Sequence, residues 1–248
     1  MSYTIAVAGK GGTGKTTIAA LIIKLLKEKK AGSILAVDAD PNSNLGEALG
    51  IKPQNTIGSI LDDIANHPEH IPQGMPKDRF IEYQIQTVVQ EAEGFDILTM
   101  GRPEGPGCYC YVNNVLRNTM AKLIGNYNYI VIDNEAGLEH FSRRTTQHAD
   151  TLIVVSHASP AGLKAAKRIQ DIIKELDIKT QKNFLIINCS DSSIEKEKLA
   201  DLDLDYLGNI PHDPRITELS LNGDSLINLD NNSIGINALR KIGDNIWG

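Results

Sequence analysis

The chain is short of sulfur, of positive charge and of long apolar runs. Three cysteines in 248 residues are too few to frame a disulfide-stapled fold, so a reducing, cytoplasmic setting is expected. Acidic residues outnumber basic ones, 31 to 25, for a formal net charge of -6. That balance argues against sequence-independent binding to nucleic acid or to an anionic membrane. No apolar run approaches the roughly 20 residues of a membrane span. The opening MSYTIAVAGK has no basic segment followed by a long apolar one, so it reads as a strand and not as a signal peptide. Repeats, linkers and low-complexity tracts are also missing.

What is present is an ordinary globular composition, 41% hydrophobic and 23% charged, with enough chain to bury a large core. Tyr3 to Ala8 is an apolar run that stops at Gly9. Ile18, Leu21, Ile22, Leu25 and Leu26 then mark one face of a helix, with Gly32 as the expected stop, and Ser33 to Val37 is a second strand. Strand, helix, strand predicts a βαβ unit whose two strands are parallel neighbours. Further strands are expected at Asp96–Met100, Tyr129–Ile132, Thr151–Val155, Asn183–Ile187 and Tyr206–Ile210. Most are continuously apolar, as for strands covered on both faces. Ala161 to Leu176 reads as a helix with Ser159 as cap and Pro160 at its first position. Ile81, Tyr83 and Ile85 alternate with polar residues and predict a half-exposed edge strand over 80–88. Segment 52–79 reads as an irregular insert. The expectation is a single α/β domain over 1–248, a mostly parallel sheet flanked by helices.

GKGGTGKTT, Gly9 to Thr17, matches the phosphate-binding pattern G-x-x-x-x-G-K-[ST] in the right context, after a strand and before a helix. Gly9, Gly11, Gly12, Thr13 and Gly14 would curl backbone N–H groups around phosphate oxygens, and the helix N-terminus adds its dipole. Lys15 would neutralise the β and γ phosphates, Thr16 would ligate Mg2+, and Thr17 completes the motif. Two acidic stretches follow strands. AVDADPN places Asp38 and Asp40 where open α/β sheets put their ligands, and YIVIDNEAG places Asp133 after four apolar residues, suited to hold Mg2+ through water.

Lys10 is a second lysine, early in the loop. The pattern K-G-G-x-G-K-T resembles the deviant Walker A motif of the ATPase class that includes MinD, ParA, the nitrogenase iron protein and the arsenite-pump ATPases. That resemblance implies a homodimer in which Lys10 reaches the partner's nucleotide. It also implies that Asp40 activates the attacking water, that Asp38 helps hold Mg2+ and its waters, and that Gly137 lets a switch loop move. No N-K-x-D guanine signature occurs. An Asn after a strand faces adenine in this class and a Pro-containing loop covers it, so Asn188 and Pro211 are the implied base contacts and ATP the nucleotide.

GPGCYCYVNN, residues 105–114, holds Cys108 and Cys110, which read as a redox pair, a buried accident or half of a metal site. In an extended segment they lie roughly 6.6 Å apart on one face, wider than the ~5.5 Å usual across a disulfide. The segment is Gly- and Pro-rich and not an apolar run, whereas Cys189, after LIIN, reads as core. Two thiolates suit one soft ion but are too few to close its site. A twofold dimer would supply four. Taken together, GKGGTGKTT, VDADPN, GCYCY, DNEAGLEH (133–140) and ITELSLNGDSL (216–226) resemble the CooC-type nickel-accessory ATPases over most of the chain. The resemblance implies an ATP-dependent homodimer that holds Ni2+ or Zn2+ between paired Cys108/Cys110 motifs. Its client would be carbon monoxide dehydrogenase or acetyl-CoA synthase. Two alternatives stand beside it, an iron–sulfur cluster carrier and a MinD/ParA-like positioning ATPase. His67 and His70, in HPEH, read as solvated loop residues, and His140 as a candidate sensor of the switch.

Overall fold

The structure, a computed structural model, describes residues 2–101, 118–135, 148–192 and 194–247. In chain order its strands are β1 (Tyr3–Gly9), β2 (Ile34–Asp38), β3 (Gln90–Ala92), β4 (Phe95–Thr99), β5 (Tyr129–Asp133), β6 (His148–Ser156), β7 (Lys179–Asn188) and β8 (Asp205–Ile210). Helices that frame the sheet are α1 (Lys15–Glu28), α2 (Asn44–Ala48), α3 (Ile57–Asn66), α4 (Lys77–Val88), α5 (Pro160–Glu175), α6 (Pro214–Asn222) and α7 (Ile234–Trp247). Residues 118–124 are also helical.

The eight strands form one sheet in the spatial order β3-β4-β2-β5-β1-β6-β7-β8. Every pairing is parallel except β3 with β4. Alternate residues of each strand enter opposite cores, as the two-residue period of a strand requires. Ile5 and Val7 of β1 join Ile34 and Ala36 of β2 on the face covered by α1 and α7. Ala6 and Ala8 join Leu35 and Val37 on the face covered by α3, α4 and α5. Burial on both faces accounts for the continuous apolar runs. The cap of α5 is as expected, with Gly162 N–H donating to Ser159 Oγ at 3.1 Å.

Four expectations are corrected. Strands β1 and β2 are parallel but not neighbours, because β5 lies between them and pairs with both. A helical crossover fixes direction and hand, and leaves a gap that a later strand fills. Residues 80–88 lie in helix α4, with Phe80, Ile81, Ile85 and Val88 buried and Tyr83 turned out to solvent. Their spacing is a helical face, and the apparent alternation counted Tyr83 as inward. Segment 52–79 contains α3, started by a reciprocal Thr56–Ser59 capping box of the kind worth about 1 kcal/mol. Finally, α1 stops at Glu28, before Gly32, with Lys29 as its cap and Lys30 in the left-handed region at φ 52°.

Candidate functional site

The C-terminal ends of β1, β2 and β5 meet at the start of α1. Between β1 and α1 the loop turns on Gly12 and Gly14, at φ 79° and 89°. Gly14 is doubly constrained. Its left-handed backbone disfavours any side chain, and a Cβ there would collide with the Asn188 amide. Thr13 is buried and closes the loop internally, donating from Oγ1 to Lys10 O at 2.8 Å. The α1 N-terminus has no side-chain cap and no acidic residue in its first turn. Its free N–H groups and positive dipole therefore remain available to an anion. Lys15 is buried at the head of this helix, whereas Lys10 and Gly11 are exposed on the loop's outer side.

Opposite the loop lie the carboxylates. Asp38 and Asp133 are register partners at the ends of β2 and β5, and both are fully buried. Thr16 donates its hydroxyl to Asp133 Oδ2 at 2.6 Å. Asp133 Oδ1 is buried with no hydrogen-bond partner among the described residues. A hydroxyl beside a carboxylate with an uncommitted oxygen fits a hard cation such as Mg2+. Asp38 accepts from the N–H groups of Leu45, at 2.8 Å, and Asp40, at 3.2 Å.

Burial and the nearby Asp133 charge push the Asp38 carboxyl up to about 7, against those backbone hydrogen bonds. Burial likewise pushes Asp133 up to about 6, opposed by the Thr16 hydroxyl and the Lys15 ammonium, with the Asp40 charge adding to the rise. A site that strains to keep two carboxylates ionised is one that a cation relieves. Asp40 is half-buried beyond them, and its Oδ1 accepts from the backbone and side-chain nitrogens of Asn42, both at 2.9 Å.

Beside the loop a cleft of about 260 Å3 is lined by Gly12, Gly14, Thr17, Asn188, Pro211 and residues of α6. Asn188, at the end of β7, is buried and donates from Nδ2 to Thr13 O at 2.9 Å, so it braces the phosphate loop as well as lining the cleft. Cys189 is not core. It is exposed on the cleft wall, at φ 53°, because β7 ends one residue earlier and the chain turns outward. Cys108, Cys110, Gly137 and His140 lie outside the described residues.

Three contributors escaped the sequence reading. His157 lies within 3.2 Å of Asn188 O and 3.3 Å of Gly12 O, bridging two walls. It follows β6, which pairs with β1 through Gly9, and that strand order was the missing signal. Buried Asn134, next to Asp133, donates to Val7 O at 3.0 Å and ties β5 to β1. Asp213 caps α6 through Arg215 N–H at 2.9 Å and accepts from Gly235 N–H, also at 2.9 Å. It thereby joins the cleft to α7.

A glycine-rich loop on a parallel sheet, opposed by a hydroxyl and strand-end carboxylates, defines a P-loop nucleotide-binding fold. The AAA domain family matches residues 2–186, and the chain belongs to this family of P-loop ATPases, in its ParA/MinD group. A relative from Methanocaldococcus jannaschii, described as an uncharacterized ATP-binding protein, is 43% identical over 98% of this chain and 97% of its own length. The carbon monoxide dehydrogenase accessory protein CooC of Rhodospirillum rubrum is 31% identical over 86% of this chain and 84% of its own. The same fold occurs in the septum site-determining protein MinD of Pyrococcus horikoshii, solved with Mg-ADP. Its TM-score is 0.71 at 23% identity, covering 99% of this chain and 96% of that one. No helix among the described residues is long and apolar enough to cross a membrane.

Proposed function

We propose that this chain is an ATP-hydrolysing metallochaperone that works as a homodimer and hands nickel to carbon monoxide dehydrogenase or acetyl-CoA synthase. The observation that carries the ATPase half is the Thr16 hydroxyl on Asp133, with an uncommitted Asp133 oxygen, facing the uncapped head of α1. The likeness to the CooC accessory protein and the Cys108-Tyr109-Cys110 motif support the metal half.

In this reading Gly9 to Thr17 hold the phosphates, and Lys15 neutralises their charge from a buried position. Thr16, Asp38 and Asp133 hold Mg2+, which when bound draws charge off the phosphate oxygens. Asp40, half-buried beyond them, orients the attacking water and accepts its proton. Lys10, exposed on the loop's outer side, reaches across to the second subunit's nucleotide. Asn188 and Pro211 flank the base. Cys108 and Cys110 from two chains give four thiolates, a set that favours Ni2+ or Zn2+ over Mg2+.

One observation weighs against the membrane-positioning alternative suggested by the MinD relatives. Helix α7 spends Ile236, Leu239, Ile246 and Trp247 in the core, so that helix offers no apolar stripe to lipid.

Equilibrium dialysis with Ni2+ or Zn2+ tests the reading. One ion per two chains is expected at the thiolate site, so Cys108→Ser and Cys110→Ser should each lower the bound metal by that amount while ATP hydrolysis persists. Unchanged stoichiometry in both variants would overturn it, as would vesicle binding that depends on ATP.

A further inference from the structure

Far along the chain from the phosphate loop, the C-terminus of α3 runs into a single 3-10 turn, Pro68–His70. Its backbone is held by hydrogen bonds from His67 N–H to Asp63 O at 2.8 Å and from His70 N–H to His67 O at 3.0 Å. On either side the turn is anchored by Ile64, which is buried, and Ile71, which packs on the same core. A 3-10 turn has three residues per turn, so side chains at i and i+3 eclipse. The pair in HPEH, read from sequence as solvated loop residues, therefore comes together. The His67 and His70 rings stack, with centroids 5.0 Å apart and planes 20° apart.

Each imidazole also has a carboxylate. His67 Nδ1 lies 3.1 Å from Glu69 Oε1, and His70 Nδ1 lies 3.1 Å from Asp63 Oδ2. Ligand atoms of His67, Glu69 and His70 all lie within 4.8 Å of one another. With its Nδ1 proton held by Asp63, His70 keeps its Nε2 lone pair for an ion, the outer-shell arrangement common behind metal-bound histidines, whereas Glu69 turns from His67 Nδ1 to the ion as a ligand. Imidazole and carboxylate together suit borderline ions such as Ni2+, Zn2+ and Cu2+, and not Mg2+ or Ca2+. All four side chains are exposed, so rotation about their outer bonds can close the set on an ion without moving the backbone.

We propose that His67, Glu69 and His70 form a surface site for one borderline divalent transition-metal ion per chain, with Asp63 holding His70 in position. The site is separate from Cys108 and Cys110 and stands whether or not those thiols carry nickel.

Calorimetric titration of Ni2+ and Zn2+ into the untagged Cys108→Ser/Cys110→Ser chain tests it, since that background removes the thiols of the proposed delivery site. One ion per chain is expected, abolished in His67→Ala/His70→Ala and weakened about tenfold by Asp63→Ala, the usual size of an outer-shell loss. Ni2+ should broaden the His67 and His70 ring resonances before those of the other histidines. ATP hydrolysis should be unchanged in the histidine variants. Equal affinity with and without the two histidines would overturn the site. So would complete loss of binding in the cysteine variant alone, a result that would leave the thiolate reading intact.

Discussion

The two halves of the proposed nucleotide site are built differently. The phosphate half stands on strand ends, and Asp38 and Asp133 have 0% exposure there. The base half stands on a loop and on α6, a helix with no buried residue, where Leu221 is 82% exposed. Burial holds the phosphate half's groups in one geometry and makes their charges interact strongly. The base half needs only to cover a flat ring. On the proposed reading, chemistry belongs to the first and retention to the second, with Asn188 and His157, bonded to Thr13 and Gly12 of the loop, between them.

The sharpest way to break that division is Asp40→Ala. If Asp40 serves the water and not the nucleotide, hydrolysis should fall by about 10²–10⁴-fold, the usual worth of a positioned base, with ATP affinity unchanged. Hydrolysis within twofold of wild type in a single-turnover assay would remove Asp40 from the mechanism. Next in size is Lys15→Ala. Losing a buried charge on the phosphates should weaken ATP binding by about 10–100-fold, as for a charge-assisted hydrogen bond, and lower turnover as well. Fluorescent-nucleotide titration reads this directly, and unaltered affinity would contradict it.

The buried carboxylates sharpen the contrast through pH. Asp38 and Asp133 are both raised, to about 7 and about 6. Between roughly pH 4 and 7 the metal-free native state then binds more protons than the unfolded chain, so its stability falls as pH rises through that window. Mg2+ needs both groups ionised. Mg-ATP binding should therefore release protons at pH 6 and release fewer at pH 8, and affinity should rise between those values. Calorimetry in buffers of different ionisation heat measures this, and equal proton release at both pH values would be contrary. The smallest effect lies in the base half. Cys189 is exposed on the cleft wall, and partial desolvation of its sulfur, with the Asp191 charge, raises its thiol pKa, so its alkylation should be slow. In a Cys108→Ser/Cys110→Ser background, saturating ATP should slow it several-fold further. Labelling indifferent to nucleotide would move the base elsewhere.

The same division explains what was legible in the sequence. Gly9 to Thr17 is contiguous, and Asp38 and Asp133 announce themselves by following apolar runs, so the residues the structure gathers at the head of α1 could be picked out one by one. The βαβ unit was also clear, but the arrival of β5 between β1 and β2 was not, because pairing of Tyr129 with Tyr3 and with Ile34, far apart in the chain, leaves no local trace. His157 escaped for the same reason. Its role exists only once β6 lies beside β1 and β7. Residues 80–88 were misread because Ile81 and Ile85 fit both a two-residue and a helical period, and only the burial of Phe80 and Val88 decides between them. Cys189 was misread because an apolar run says where a strand is, and not on which residue it turns outward.

The central claim is that ATP at the phosphate half controls the grip on the delivered metal. By linkage, any factor by which ATP changes nickel affinity must equal the factor by which nickel changes ATP affinity. Asp40→Ala, which should bind ATP without consuming it, permits both to be measured at equilibrium. Nickel affinity of this variant with and without saturating Mg-ATP is the direct test. The account predicts a change of several-fold or more that disappears in Cys108→Ser/Cys110→Ser. Identical nickel affinity in the two nucleotide states would contradict it.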